Sequence, residues 1–125
     1  MTFRALLVLG LSAAVAACGS PDSSAPSKPQ PADALATLDE QQSSGPYRRG
    51  LRKLKANCRA TSQRAIADYA VRARELLAAD GQHVDLVTIL ESVGEMTAEG
   101  EPGTTRCVSV FAAYLGRVKS GAMEP

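Results

Sequence analysis

Tryptophan is absent from this chain, and histidine occurs once, phenylalanine twice and tyrosine three times in 125 residues. The lone histidine, His83, rules out any site built from several imidazoles. A Ser-His-Asp arrangement needs an elbow such as G-x-S-x-G to present its serine, and no such motif occurs; Ser92 and Ser109 fall inside stretches of helical periodicity. Zinc needs three or four ligands, whereas His83 and Asp85 supply two, at a spacing that does not share a helix face. The haem-attachment motif C-x-x-C-H and the phosphate-cradling G-x-x-x-x-G-K are also missing. No catalytic, cofactor or metal constellation is present, and the chain does not read as an enzyme. Apolar runs are short as well: the longest, Ala5 to Ala17, falls well below the roughly twenty residues of a membrane-spanning helix.

That run is nevertheless informative. Met1 to Arg4 is a short basic segment, and the apolar stretch after it matches the core of a secretory signal in length. It ends in Val15, Ala16 and Ala17, followed directly by Cys18. This tetrapeptide resembles the lipobox of bacterial lipoproteins. The resemblance implies that residues 1–17 are a lipoprotein signal peptide, removed after Ala17, and that Cys18 carries a thioether-linked diacylglyceryl group, with its new amino terminus open to further acylation. Each buried methylene contributes about 0.8 kcal/mol, so two or three acyl chains hold firmly where one binds reversibly. A plain signal peptide with a chance cysteine, or an N-terminal core helix, are the alternatives. The Ala- and Arg-rich composition also resembles that of lipoproteins from high-GC Gram-positive bacteria.

Residues 18–31 follow as a spacer. Gly19 to Pro31 contains four prolines, four serines and nothing able to bury apolar area, so an extended, flexible tether is expected. In polyproline geometry it would reach about 40 Å. A docking motif within these prolines is the alternative reading.

Residues 32–125 suffice for one compact domain. A core of Leu, Val, Ile and Ala with few aromatics is marginal at this size and gains from a covalent staple. Once Cys18 is acylated, Cys58 and Cys107 remain, and in an oxidising compartment their pairing is the simplest reading. A redox-active or metal-binding pair would need a C-x-x-C or clustered partners, which are absent.

The periodicity is helical throughout. Leu51, Leu54 and Cys58 form one stripe, and Ile66, Tyr69, Ala73, Leu76 and Leu77 another. A third segment follows from Val84, Leu86, Val87, Leu90 and Val93, and a fourth from Cys107, Val110, Phe111, Tyr114, Leu115 and Val118. A break is expected near residues 59–61, because Asn57, Thr61 and Ser62 favour helix ends. Asp80-Gly81 reads as a C-terminal cap, and Thr104 and Thr105 as N-caps of the last helix. A short helix over Ala34–Gln42, packed by Leu35 and Leu38, completes an all-α bundle of four or five helices. The disulfide would join the second helix to the last.

Charge is unevenly placed. Without Arg4 the chain has 13 basic and 13 acidic residues, yet the basic residues Arg48, Arg49, Arg52, Lys53, Lys55 and Arg59 follow one another with no acid between. Asp80, Asp85, Glu91, Glu95, Glu99 and Glu101 do the same with no Lys or Arg. The basic helix reads as a surface for anionic lipid headgroups, a wall polymer or an envelope protein. The alternative is that basic and acidic helices face and neutralise one another, at little net gain in stability. Nucleic acid is not expected for an exported neutral domain without aromatics among its basic residues. Glu91, Glu95 and Glu99 share a face if the third segment runs that far; a solvated face is the expectation, since calcium binding or acid–base chemistry needs ligands from other elements.

The expected function is thus a membrane-anchored extracytoplasmic lipoprotein with a non-catalytic helical binding domain. A carrier of a small apolar ligand, lipid or haem, held between helices with Tyr69 or Tyr114 as haem ligand, is the alternative.

Overall fold

A computed structural model describes residues 29–125. The signal-peptide stretch, Cys18 and the spacer through residue 28 lie outside the described residues. The described residues form five helices: α1 (Pro31–Leu38), α2 (Gly45–Asn57), α3 (Gln63–Ala79), α4 (Leu86–Thr97) and α5 (Cys107–Lys119). None of them is long and apolar enough to cross a membrane.

The helix ends follow from local chemistry. α1 begins at Pro31, ahead of the expected Ala34, because a proline at the first helical position has no amide to leave unsatisfied and its φ is already helical. It stops at Leu38 when Glu40 turns left-handed at φ 57°, which lets the Gln41 and Glu40 amides donate to the Ala36 and Thr37 carbonyls. As a result Leu38 points outward, and Leu35 with Ala32 and Ala36 carries the packing. The expected break after Asn57 is present: Cys58 is extended, and Ser62 caps α3 by accepting from the Ala65 amide at 3.1 Å. α3 closes in the same way as α1, with Gly81 at φ 79° supplying at no steric cost the conformation that Glu40 adopts under strain.

Two caps differ from expectation. The N-cap of α5 is Arg106, not Thr104 or Thr105, and its side chain makes no capping bond. Thr105 is used otherwise: its amide donates to the Asn57 carbonyl at 3.1 Å and its carbonyl accepts from the Arg59 amide at 2.8 Å, tying the α4–α5 connection to the end of α2. Asp85, N-cap of α4, makes no capping bond either, and the Leu86 amide instead donates to Asp39 Oδ2 at 2.8 Å, reached from the far end of α1.

Tyr47, Leu51 and Leu54 of α2 pack into a continuous core with Ile66, Ala70, Ala73 and Leu77 of α3, Leu86, Ile89, Leu90 and Val93 of α4, and Phe111, Tyr114 and Val118 of α5. α2 lies closest along α4, and Gly50 is the reason. An added Cβ there would sit 3.1 Å from Leu90 Cβ. Cys58, the residue that ends α2, is bonded to Cys107, the residue that starts α5, with Cα atoms 5.4 Å apart. The disulfide therefore joins the second helix to the last, as the cysteine count implied.

Candidate functional site

With Tyr47, Leu51 and Leu54 turned inward, the helical period sends Arg48, Arg49, Arg52, Lys53 and Lys55 outward; all five are exposed, as is Arg59 just past the disulfide. Arg48 alone approaches a carboxylate, with Nη2 3.8 Å from Asp33 Oδ1, and it also donates to Ser44 Oγ at 3.2 Å. Among the described residues, no carboxylate oxygen comes within 4.0 Å of Arg49, Arg52, Lys53, Lys55 or Arg59.

The basic and acidic helices are neighbours, but their charges do not pair. Arg49 and Lys53 share a shallow groove of about 270 Å³ with Glu91 and Glu95, floored by Gly50 and Leu90. The Lys53 stem lies over Gly94. Glu99 does not join that face. α4 ends at Thr97, whose hydroxyl donates to the Gly94 carbonyl at 2.8 Å and accepts from Asn57 Nδ2 at 3.2 Å, so only Glu91 and Glu95 are held in helical register.

The disulfide brings to Arg59 a further basic residue, Arg106, that the linear sequence keeps apart. Arg59, Ala60, Thr61 and Tyr69 line one groove of about 350 Å³ together with Arg106, Cys107 and Val108. Lys55 lies on the next groove with Cys58, Ala60, Thr61 and Ser62. Ala60 is left-handed at φ 47°, an unusual state for alanine that turns the chain sharply from α2 into α3.

Comparison with protein-family models, curated proteins and solved structures finds no match to this chain.

The opposite end of the bundle is organised around a residue whose role the sequence did not reveal. Asp39 has a side chain 3% exposed, and it accepts from Tyr47 Oη at 2.6 Å, from the Leu86 amide at 2.8 Å and from Arg74 Nη1 at 3.2 Å. Burial first, and then the Asp39 hydrogen bond and charge, push the Tyr47 hydroxyl above its ordinary range. Both oxygens of Asp39 are thereby engaged by the protein itself, Oδ2 twice and Oδ1 once, which makes it a latch. His83 is exposed beside it, in an open groove of about 450 Å³ with Glu40, Arg74, Glu75 and Asp85. Among the described residues no group of three or more His, Cys, Asp or Glu side chains converges as metal ligands would.

The two tyrosines named as haem-ligand candidates occupy different surroundings. Tyr69 stacks at a tilt on Phe111, with ring centroids 5.7 Å apart, and its edge reaches the surface groove beside Arg59. Tyr114 is fully buried, its hydroxyl has no hydrogen-bond partner, and burial raises its pKa. None of the four grooves described is lined by both.

Proposed function

We propose that this protein is an extracytoplasmic lipoprotein, anchored in the cell membrane through lipidated Cys18 after removal of residues 1–17. Residues 18–30 act as the tether, Pro31 already belonging to α1, and the helical domain is a non-catalytic binding module. The observation that carries the binding role is the set of exposed basic residues on and just after α2, five of which have no carboxylate within 4.0 Å among the described residues. Without an ion pair at contact distance, these residues are left to meet an anionic partner, least so Arg49 and Lys53, which share a groove with Glu91 and Glu95. The partner class is anionic: lipid headgroups, a wall polymer or an acidic envelope protein.

Ligand carriage between helices remains the second reading, supported by the unpartnered Tyr114 hydroxyl. A lipid or haem bound there would have to supply that partner and open the packed core around it.

Two measurements test the proposal. Cys18→Ala should move the protein from the membrane to the soluble fraction, and unchanged fractionation would refute the anchor. The released full-length variant should bind vesicles rich in phosphatidylglycerol and not neutral phosphatidylcholine vesicles. Near an anionic surface each basic residue contributes about 1 kcal/mol, so binding should weaken steeply between 50 and 300 mM salt, roughly the range over which the Debye length falls from about 14 to 6 Å. Salt-insensitive binding, or none, would remove the basic surface from the function.

A further inference from the structure

Four basic residues gather at one pole of the molecule, and the chain enters the domain at that pole. Arg64, in the first turn of α3, donates from Nη2 to the Pro29 carbonyl at 3.3 Å. This places the last spacer residues beside the start of α3, on the same end of the bundle as the disulfide. Lys55, Arg59, Arg64 and Arg106 all belong to this end, because Cys58, the connection into α3 and the start of α5 are joined there by the Cys58–Cys107 bond and the Thr105 bridge. α3 and α5 begin here while α2 and α4 end here, so the helix dipoles largely offset one another and the positive character of this pole comes from its side chains.

The other pole has the opposite character. Asp39, Glu40, Glu75, Asp80 and Asp85 gather there, and the cations near them are engaged: Arg74 with Asp39 at 3.2 Å, Arg72 with Glu75 at 3.4 Å and Lys119 with Asp80 at 3.3 Å. The carboxylates on the basic pole's own elements are Asp33 in the first turn of α1, 3.8 Å from Arg48, Asp68, one turn beyond Arg64, Glu95 in the last turn of α4, and Glu99 and Glu101 on the α4–α5 connection. None comes within 4.0 Å of Lys55, Arg59, Arg64 or Arg106.

Each pole also exposes one large aliphatic side chain. Val108, 50% exposed, stands at the start of α5 in the groove with Arg59 and Arg106, and Leu38, 48% exposed, stands in the groove with Glu40 and Glu75.

We infer that the disulfide pole is the face that lies on the bilayer, with Arg59, Arg64, Arg106 and Lys55 meeting anionic phospholipid headgroups and Val108 entering the interface between them. This rests on the lipid anchor proposed above and adds an orientation to it. Only 10 residues, 19–28, lie between Cys18 and Pro29. In polyproline geometry the tether reaches about 34 Å, so charge and not length selects the face, while its junction with the domain at Arg64 puts the basic pole nearest the anchor. An anionic surface attracts the first pole and repels the second. The residues assigned to the contact are thus not those along the side of α2, where Arg49 and Lys53 share their groove with Glu91 and Glu95.

The absence of native tryptophan makes the orientation measurable. Val108→Trp and Leu38→Trp, each in the full lipidated protein, place a single indole at either pole on an already exposed site. Both proteins are reconstituted into phosphatidylcholine vesicles with and without 30% phosphatidylglycerol, the acyl chains being brominated to quench fluorescence.

The expected result is a blue shift and at least twofold quenching at position 108, only with the anionic lipid and reversed by 0.5 M salt, with position 38 unchanged. Adding Arg59→Gln, Arg64→Gln and Arg106→Gln should abolish the response at 108, whereas Arg49→Gln with Lys53→Gln should leave it intact. A response at 38, or none at 108 in protein that still floats with neutral vesicles, overturns the orientation while leaving the anchor standing. Failure to float with neutral vesicles refutes the anchor instead. A response at 108 to soluble poly(glycerol phosphate) but not to anionic vesicles would assign the pole to a wall polymer and overturn the bilayer contact.

Discussion

Replacing Asp39 with alanine should be among the most damaging single changes this domain can suffer outside its apolar core. Three groups lose their partner at once. The Tyr47 hydroxyl, now 2.6 Å from Oδ2, is left buried and unsatisfied, at a cost of about 1–3 kcal/mol. The first amide of α4 loses its only side-chain acceptor, and removing a cap costs about 1 kcal/mol. Arg74 keeps its charge but loses a buried counter-ion at 3.2 Å; because its own side chain is 27% exposed, water recovers part of that loss. These effects overlap, and the sum is about 3–5 kcal/mol. That is a large part of the roughly 5–15 kcal/mol available to a domain of this size. With a urea m-value of about 1.5 kcal/mol/M, the unfolding midpoint of the disulfide-intact protein should fall by about 2–3 M, followed by far-UV circular dichroism. Asp39→Asn, which keeps an acceptor oxygen but not the charge, should lose less than half as much. In a double-mutant cycle with Tyr47→Phe the coupling should exceed about 1 kcal/mol. A loss below 1 kcal/mol for Asp39→Ala, or additive behaviour with Tyr47→Phe, would refute the latch.

Two further outcomes follow from the covalent and ionisable groups. Thiol labelling of the denatured protein should find neither Cys58 nor Cys107 reactive before reduction and both reactive after it. The Cys58→Ala, Cys107→Ala pair should lose up to about 4 kcal/mol, the chain-entropy value for a loop of 49 residues, and labelling without reductant would refute the bond. Alkaline stability should depend on Tyr47, whose pKa is raised by burial and then by Asp39. Below about pH 10 its contribution is fully present. Above that the unfolded chain releases the phenolic proton while the folded one retains it, so stability falls as pH rises toward the folded value. Tyr47→Phe should flatten the decline between pH 10 and 11.5 in a urea series, and an unchanged slope would show that the hydroxyl is not held protonated.

The helices, the break after Asn57, the glycine stop after α3 and the pairing of Cys58 with Cys107 were all legible without coordinates, because each depends on groups close in sequence or on elimination. Apolar spacing of three and four residues has only one local structure that buries it, and the only cysteines left after Cys18 have only each other. The sequence by itself also determined that the basic residues of α2 face outward, since Tyr47, Leu51 and Leu54 must face in. It did not decide what those basic residues would meet. Whether Arg49 and Lys53 pair with Glu91 and Glu95 depends on the separation and rotation of α2 against α4, set by the contact of Gly50 with Leu90. Thr105 would serve as a helix cap in isolation, and tertiary structure gave it to the α2 terminus instead because the disulfide holds the two strands of chain side by side. Asp39 shows the same limit most plainly. Its partners lie 8, 35 and 47 residues away, and no local pattern marks a carboxylate that satisfies a tyrosine, an arginine and a helix start on three other elements. Periodicity and caps are short-range and can be read along the chain, whereas buried polar satisfaction and the gathering of like charges at one pole arise only when distant segments pack.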